Sequence, residues 1–157
     1  LPSRGDGQTT NNDTIKKWLV DTENIDKLLD LSSDEKIINK VRIAYQTGIS
    51  LADDSTNEEI IVYPYTFEDA LIFTNLWIFQ SDKKIQGKGP VTTFYNYQRK
   101  SESIKDFHNR VFNKLENSSG IKAEFANILL LDEDFDRICT PDYIKEGLAW
   151  LKGELNN

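Results

Sequence analysis

Residues 66–79, TFEDALIFTNLWIF, constrain this chain most. From 67 to about 79 the apolar residues leave hardly any face of a helix polar. A helix of that kind belongs in an interior, so the rest of the chain must wrap around it. Its first turn carries Glu68 and Asp69, and a carboxylate taken out of water needs a partner. Two readings of those acids stand side by side. In one, Thr66 is the N-cap and Asp69, at the third helical position, completes a capping box with Asp in place of Glu. Negative charge there also complements the helix dipole, for about 0.3–1 kcal/mol. In the other, the turn lies near strand ends, where sites form in open α/β sheets, and the partner is a divalent metal ion.

The surrounding pattern predicts a helix-rich α/β chain with a small number of strands. Residues 1–12 are polar and glycine-containing and read as a flexible lead-in to a domain over 13–157. Asn12 or Asp13 caps a short helix bearing Ile15, Trp18 and Leu19. A second helix carries Ile25, Leu28 and Leu29, and Ser32 or Ser33 opens a further turn. KVRIAYQ alternates as a half-buried strand. Residues 47–59 read as a polar loop, and EIIVYPY as a second strand ended by Pro64. After a loop over 80–100, Ser101 or Ser103 starts a helix with Ile104, Phe107, His108, Val111 and Leu115 on one stripe. NSSG then breaks the chain. A helix from Ile121 follows, with Phe125, Ile128 and Leu129, and DEDFD closes it. Pro141 opens the last helix, whose buried stripe is expected to be Ile144, Leu148, Leu151 and Leu155.

Composition removes several functions. No apolar run approaches the ~20 residues that span a bilayer, and no secretory h-region follows the N-terminus. The one cysteine, Cys139, has no internal disulfide partner, so a cytoplasmic, reducing setting is expected. With one cysteine and one histidine the chain cannot build a His/Cys zinc site alone. The net charge of −7 argues against generic nucleic-acid binding. It does not argue against phosphoryl-transfer chemistry, whose sites are acidic because carboxylates hold the metal ions. The chain contains no methionine and opens with Leu1, which leads to the expectation that it is a piece of something longer.

Lys122, in SSGIKAEFANILLL, falls on the first turn of its helix, the wrong end of the dipole for a cation. A lysine so placed serves as a point charge for a phosphate, or as an exposed partner of a nearby Asp or Glu. Asp132-x-Asp134 follows a helical run and reads as a solvated acidic turn. It is no EF-hand loop, since Arg137 and Tyr143 stand where that loop has Gly and Glu. His108 reads as a packing residue, and nothing supports pairing it with Cys139 as a nucleophile. The GKG at 87–89 lacks the rest of a phosphate loop. Phe94, Tyr95, Tyr97, Arg99 and Lys100 read as packing residues and a basic edge rather than a single-strand binding surface.

Read in order, TTNNDTIKKWL, NIDKLLDLSSDEKI, KVRIAYQ, YTFEDALIFTN, IKAEFANILL and PDYIKEGLAWL resemble the C-terminal part of the Toprim nuclease domain of OLD-family ATP-dependent endonucleases. The Gabija anti-phage nuclease belongs to the same group. The match spans about residues 9 to 153 and rests on the order and spacing of these pieces, none diagnostic alone. The resemblance implies a partial Toprim-like fold and a Mg2+- or Mn2+-dependent DNA endonuclease. It further implies a separate upstream domain that binds ATP, a homo-oligomeric full protein and a setting in anti-phage defence. It points to Glu68 or Asp69 as metal ligand, with Glu68 favoured, and to Lys122 as the group facing the phosphate. The family's first glutamate and its Asp-x-Asp precede the matching region. The chain by itself is therefore expected to hold part of the metal constellation and to be inactive alone. The contrasting expectation, drawn from charge and apolar faces, is a non-catalytic acidic protein-interaction domain.

Overall fold

The computed structural model describes residues 13, 14, 17, 36–38, 41–80, 102–117 and 119–155. The expected lead-in, the helix of Ile25, Leu28 and Leu29, the turn at Ser32 or Ser33 and nearly all of the loop at 80–100 lie outside them. Asp13, Thr14 and Lys17 have helical backbone, where the sequence predicts the first short helix. The described fold is mixed α/β. Four strands precede five α-helices: β1 (Ile37–Ile38), β2 (Val41–Arg42), β3 (Ile49–Asp53), β4 (Glu58–Val62), α1 (Phe67–Thr74), α2 (Leu76–Gln80), α3 (Ile104–Asn117), α4 (Ile121–Leu130) and α5 (Asp142–Leu155). The strands form two separate two-stranded sheets, β1 with β2 and β3 with β4. The chain divides into two compact units. One comprises Leu1–Ile49, Tyr63–Phe67 and Thr140–Asn157, the other Ser50–Val62 and Glu68–Cys139.

In the first unit β1 and β2 pair antiparallel, Ile37 opposite Arg42 and Ile38 opposite Val41. The strand expected over 40–46 is therefore much shorter than its alternation suggests, and residues 43–48 are irregular. Alternation marks residues that share a face; it does not supply the neighbouring ladder that makes a strand. Helix α5 begins directly after Pro141, whose carbonyl accepts from the Ile144 and Lys145 amides. Its inner side is Tyr143, Glu146, Gly147 and Trp150, all half-buried. Glu146 pairs with Arg42 and lies 3.6 Å from the Lys36 ammonium. A β-carbon at Gly147 would lie 3.4 Å from the Ala44 β-carbon, so this face of α5 passes close to Ala44.

This reverses the expected orientation of the last helix. Leu148, Leu151 and Leu155, predicted as a buried stripe, are 60%, 48% and 79% exposed, and only Ile144 is half-buried. A 3.6-residue period shows which side chains share a face. Which face is covered depends on the partner, and here the Arg42–Glu146 pair and the Gly147 contact lie on the other side.

The second unit holds the interior helix. Residues 54–57 turn the chain between β3 and β4, and so short a connection returns the chain antiparallel. Asn57 takes a left-handed φ of 60° there, which Asn tolerates better than most residues. The predicted polar loop at 47–59 thus contains a strand, β3. Its ISLAD sequence has alternating exposure, with Asp53 buried at the end. The strand predicted at 59–65 is β4, ending before Pro64.

Most of the apolar run at 67–79 is buried as expected: Ala70, Ile72, Phe73, Leu76, Ile78 and Phe79 are at most 7% exposed, while Phe67 at its start is 43% exposed. It is two helices, not one, because Asn75 interrupts it. The Asn75 side-chain amide donates to the Leu71 carbonyl at 2.9 Å and to the Cys139 carbonyl at 2.8 Å. Its oxygen accepts from the Cys139 amide at 2.7 Å. A side chain that bonds a carbonyl one turn back competes with the helix and bends it.

The stripe predicted on α3 is observed: Ile104, Phe107, His108, Val111 and Leu115 are all buried. Ser103 caps it, accepting from the Asp106 amide at 3.1 Å while its hydroxyl donates to the Asp106 carboxylate at 2.8 Å. Phe73 meets Phe107 edge-on at 5.6 Å, and Phe79 meets Phe125 of α4 at 6.0 Å. Gly120, at φ 77°, stands immediately before α4 in a conformation that disfavours other residues.

The Asn75 clamp yields a prediction. Asn75→Ala removes these three bonds from a buried position and is expected to destabilise the chain by about 1–3 kcal/mol, measured by urea unfolding. Asn75→Asp, which keeps the acceptor and loses the donor, is expected to be destabilising as well.

Candidate functional site

The two acids opening α1 point to different partners, because consecutive helical residues are about 100° apart around the axis. Glu68 and Asp69 lie on the first turn of α1, which begins directly after Thr66. Glu68 reaches Lys122 on the first turn of α4, with its Oε2 3.3 Å from the lysine Nζ. The Glu68 side chain is 15% exposed and that of Lys122 50%. Lys122 sits at the positive end of the α4 dipole, and Glu68 offsets both its charge and that of the helix terminus. The structure thus brings together the glutamate and lysine singled out from sequence. The same contact is what a salt bridge of a half-exposed lysine looks like, so the distance is compatible with both readings of Lys122.

Asp69 is elsewhere. Its side chain is fully buried, with Oδ2 3.5 Å from His108 Nε2 on α3. His108 also packs edge-on against the Phe73 ring at 5.0 Å. Asp69 and Phe73 are one helical turn apart and so meet the imidazole from the same side. His108 is a packing residue, as predicted, and a carboxylate is part of what it packs against.

Glu68 carries hard oxygen donors in a partly accessible position, which suits one ligand position on Mg2+ or Mn2+. Among the described residues, no group of three or more His, Cys, Asp or Glu side chains gathers to hold a metal ion. The donor set therefore fits a single ligand position and not a complete coordination shell. Asp132 and Asp134 do not join it. Asp132 accepts from the Asp134 amide at 2.9 Å and Asp134 pairs with Arg137 at 2.8 Å, closing a turn. Cys139 is exposed and its Sγ lies 3.9 Å from the Arg137 carbonyl.

Sequence reasoning missed Asp53. Only 4% exposed, it accepts from the Ser55 hydroxyl at 2.6 Å and the Ser55 amide at 3.0 Å. Its other oxygen accepts from the Ile104 amide at 3.0 Å. Asp53 thus caps a helix distant in sequence and ties the end of β3 to the start of α3. The Asp-x-Ser spacing at 53–55 is a recognisable turn signal; the reach to Ile104 has no local sign. Burial pushes the Asp53 carboxyl up, but the Ser55 hydroxyl and the Ile104 and Ser55 amides outweigh it and hold the carboxyl below the ordinary 3.8. With the folded value below the unfolded one, its contribution is fully present above the unfolded value and is lost as pH falls through the folded one.

Acid titration of stability therefore offers a test. The wild-type chain is expected to lose stability as pH falls below about 4, and Asp53→Asn to lack that part of the loss, read as unfolding midpoints across pH 2–6. At Lys122, half exposed, Lys122→Ala is expected to change unfolding free energy by no more than about 1 kcal/mol.

No helix among the described residues is long and apolar enough to cross a membrane. Comparison with family models, with curated proteins and with solved structures gives no match to this chain.

Proposed function

We propose that this chain is the C-terminal part of a Toprim-like nuclease domain from an OLD-like, ATP-dependent DNA endonuclease. In this reading Glu68 is a ligand for Mg2+ or Mn2+, and Lys122 faces the phosphate of the DNA. The observation that carries it is the 3.3 Å approach of Glu68 and Lys122. These two residues come from separate segments, TFEDA and IKAEFA, to which the resemblance assigns the metal ligand and the phosphate-facing lysine. The bound metal would supply activation of water and neutralisation of phosphate charge. Glu68 contributes one carboxylate to hold it. Lys122, half exposed, would turn its ammonium to the non-bridging phosphate oxygens and meet the charge that develops in the transition state. The reading requires further acidic ligands, which the described residues do not bring to Glu68. The chain by itself is accordingly assigned no cleavage activity, and the ATP-binding domain and the rest of the nuclease domain are its partners.

A second reading, a non-catalytic acidic protein-interaction domain, draws on a different observation. The exposed Leu148, Leu151 and Leu155 form an apolar stripe on α5. On that reading the Glu68–Lys122 pair is a surface salt bridge and nothing more.

The intact enzyme separates the two. Lys122→Ala is expected to lower Mg2+-dependent cleavage of DNA by at least about 100-fold, the usual loss for one group that stabilises developing charge, while the protein stays folded. Full cleavage by that variant would end the assigned role of Lys122.

A further inference from the structure

We infer that Asp69 and His108 form a positioning couple that sets the rotation of α1 and so aims Glu68 at Lys122, and that Asp69 is not itself a metal ligand. The functional meaning of this couple rests on the reading above; its geometry does not. Asp69 has no exposed side-chain surface and faces the imidazole at 3.5 Å. An ion arriving from solvent finds the partly exposed Glu68 carboxylate first.

Much of what holds α1 is apolar. Ala70, Ile72 and Phe73 are buried, and hydrophobic contact is not directional. Apolar packing tolerates a small rotation of the helix about its axis at modest cost. A buried carboxylate differs, because each rotation away from its partner leaves charge in the interior. Asp69 and Phe73, one turn apart on α1, both meet the His108 ring, at 3.5 Å from the nitrogen and 5.0 Å between ring centroids. That arrangement specifies one rotation. The neighbouring residue on the same turn, Glu68, then emerges toward α4, where Lys122 stands 3.3 Å away. One acid of the TFEDA turn orients the other.

The test reads the Lys122 ammonium directly, with neither metal nor DNA present. In the full chain with isotopically labelled lysine, the Lys122 side-chain resonance is identified by its disappearance in Lys122→Arg. Its unpaired position is set by Glu68→Gln. His108→Phe keeps the aromatic contact with Phe73 and removes the nitrogen facing Asp69. It is expected to move the Lys122 resonance most of the way to the unpaired position, and His108→Gln, which restores a side-chain N–H, to return it. Asp69→Asn, nearly the same shape, is expected to move it as His108→Phe does. It decides the matter if His108→Phe does not fold. Phe125→Leu, a core change on α4, is expected to lower stability and leave the resonance in place. An unmoved resonance in folded Asp69→Asn would overturn the proposal, since packing alone would then aim Glu68. That result is separate from DNA cleavage by Lys122→Ala in the intact enzyme, so the couple and the nuclease reading can fail independently.

Discussion

A helix nearly apolar on all sides that enters the core with two carboxylates on its first turn obliges its surroundings to answer those charges. In this chain each answer comes from a different element. Asp69 is met by His108 of α3 and Glu68 by Lys122 of α4. About two turns further along, the Asn75 amide meets the backbone of Cys139. The polar residues of an otherwise greasy segment thus mark where three other parts of the unit must pass. Hydrophobic burial supplies most of the drive to bring these elements together, while the polar pairs choose among the arrangements that would bury similar area.

Asp53 does the same work from the strand side. The turn after β3 is closed by its carboxylate on Ser55, and the remaining oxygen accepts from the first amide of α3. The helix therefore starts with two kinds of cap, the local Ser103–Asp106 box and a distant carboxylate. Since α3 also carries His108, the placement of its N-terminus bears on the turn that holds Glu68. A series of hydrogen bonds and close polar contacts runs from the β3–β4 turn to the candidate site, within one compact unit.

The first unit shows how far a pattern can be read. Four apolar residues of α5 at helical spacing predicted a buried stripe, yet the aromatic and small residues on the opposite side face the body of the unit. Nothing in the spacing distinguishes a covered face from an open one. That choice goes with an arginine on β2 that pairs with Glu146 and with the close passage of α5 by Ala44 at Gly147. Likewise β3 was hidden in a polar loop because its alternation is carried by few apolar residues, and Asn75 was hidden in a helical run because its partners lie on Cys139.

By itself the sequence determined the local elements with strong signals: the capped α3 with its five-residue stripe, the buried run at 67–79, the break before α4 and the start of α5 after Pro141. It also singled out Glu68, Asp69 and Lys122 by residue type and position on their helices. These follow from short-range physics, in which capping, periodicity and turn chemistry act within a few residues. Only the tertiary structure decided that Glu68 faces Lys122 while Asp69 turns to His108. It alone also showed that Asp53 caps a distant helix and that α5 turns its leucines outward. Those outcomes depend on which charged and polar groups remain within reach once distant segments have packed, and no local stretch carries that information.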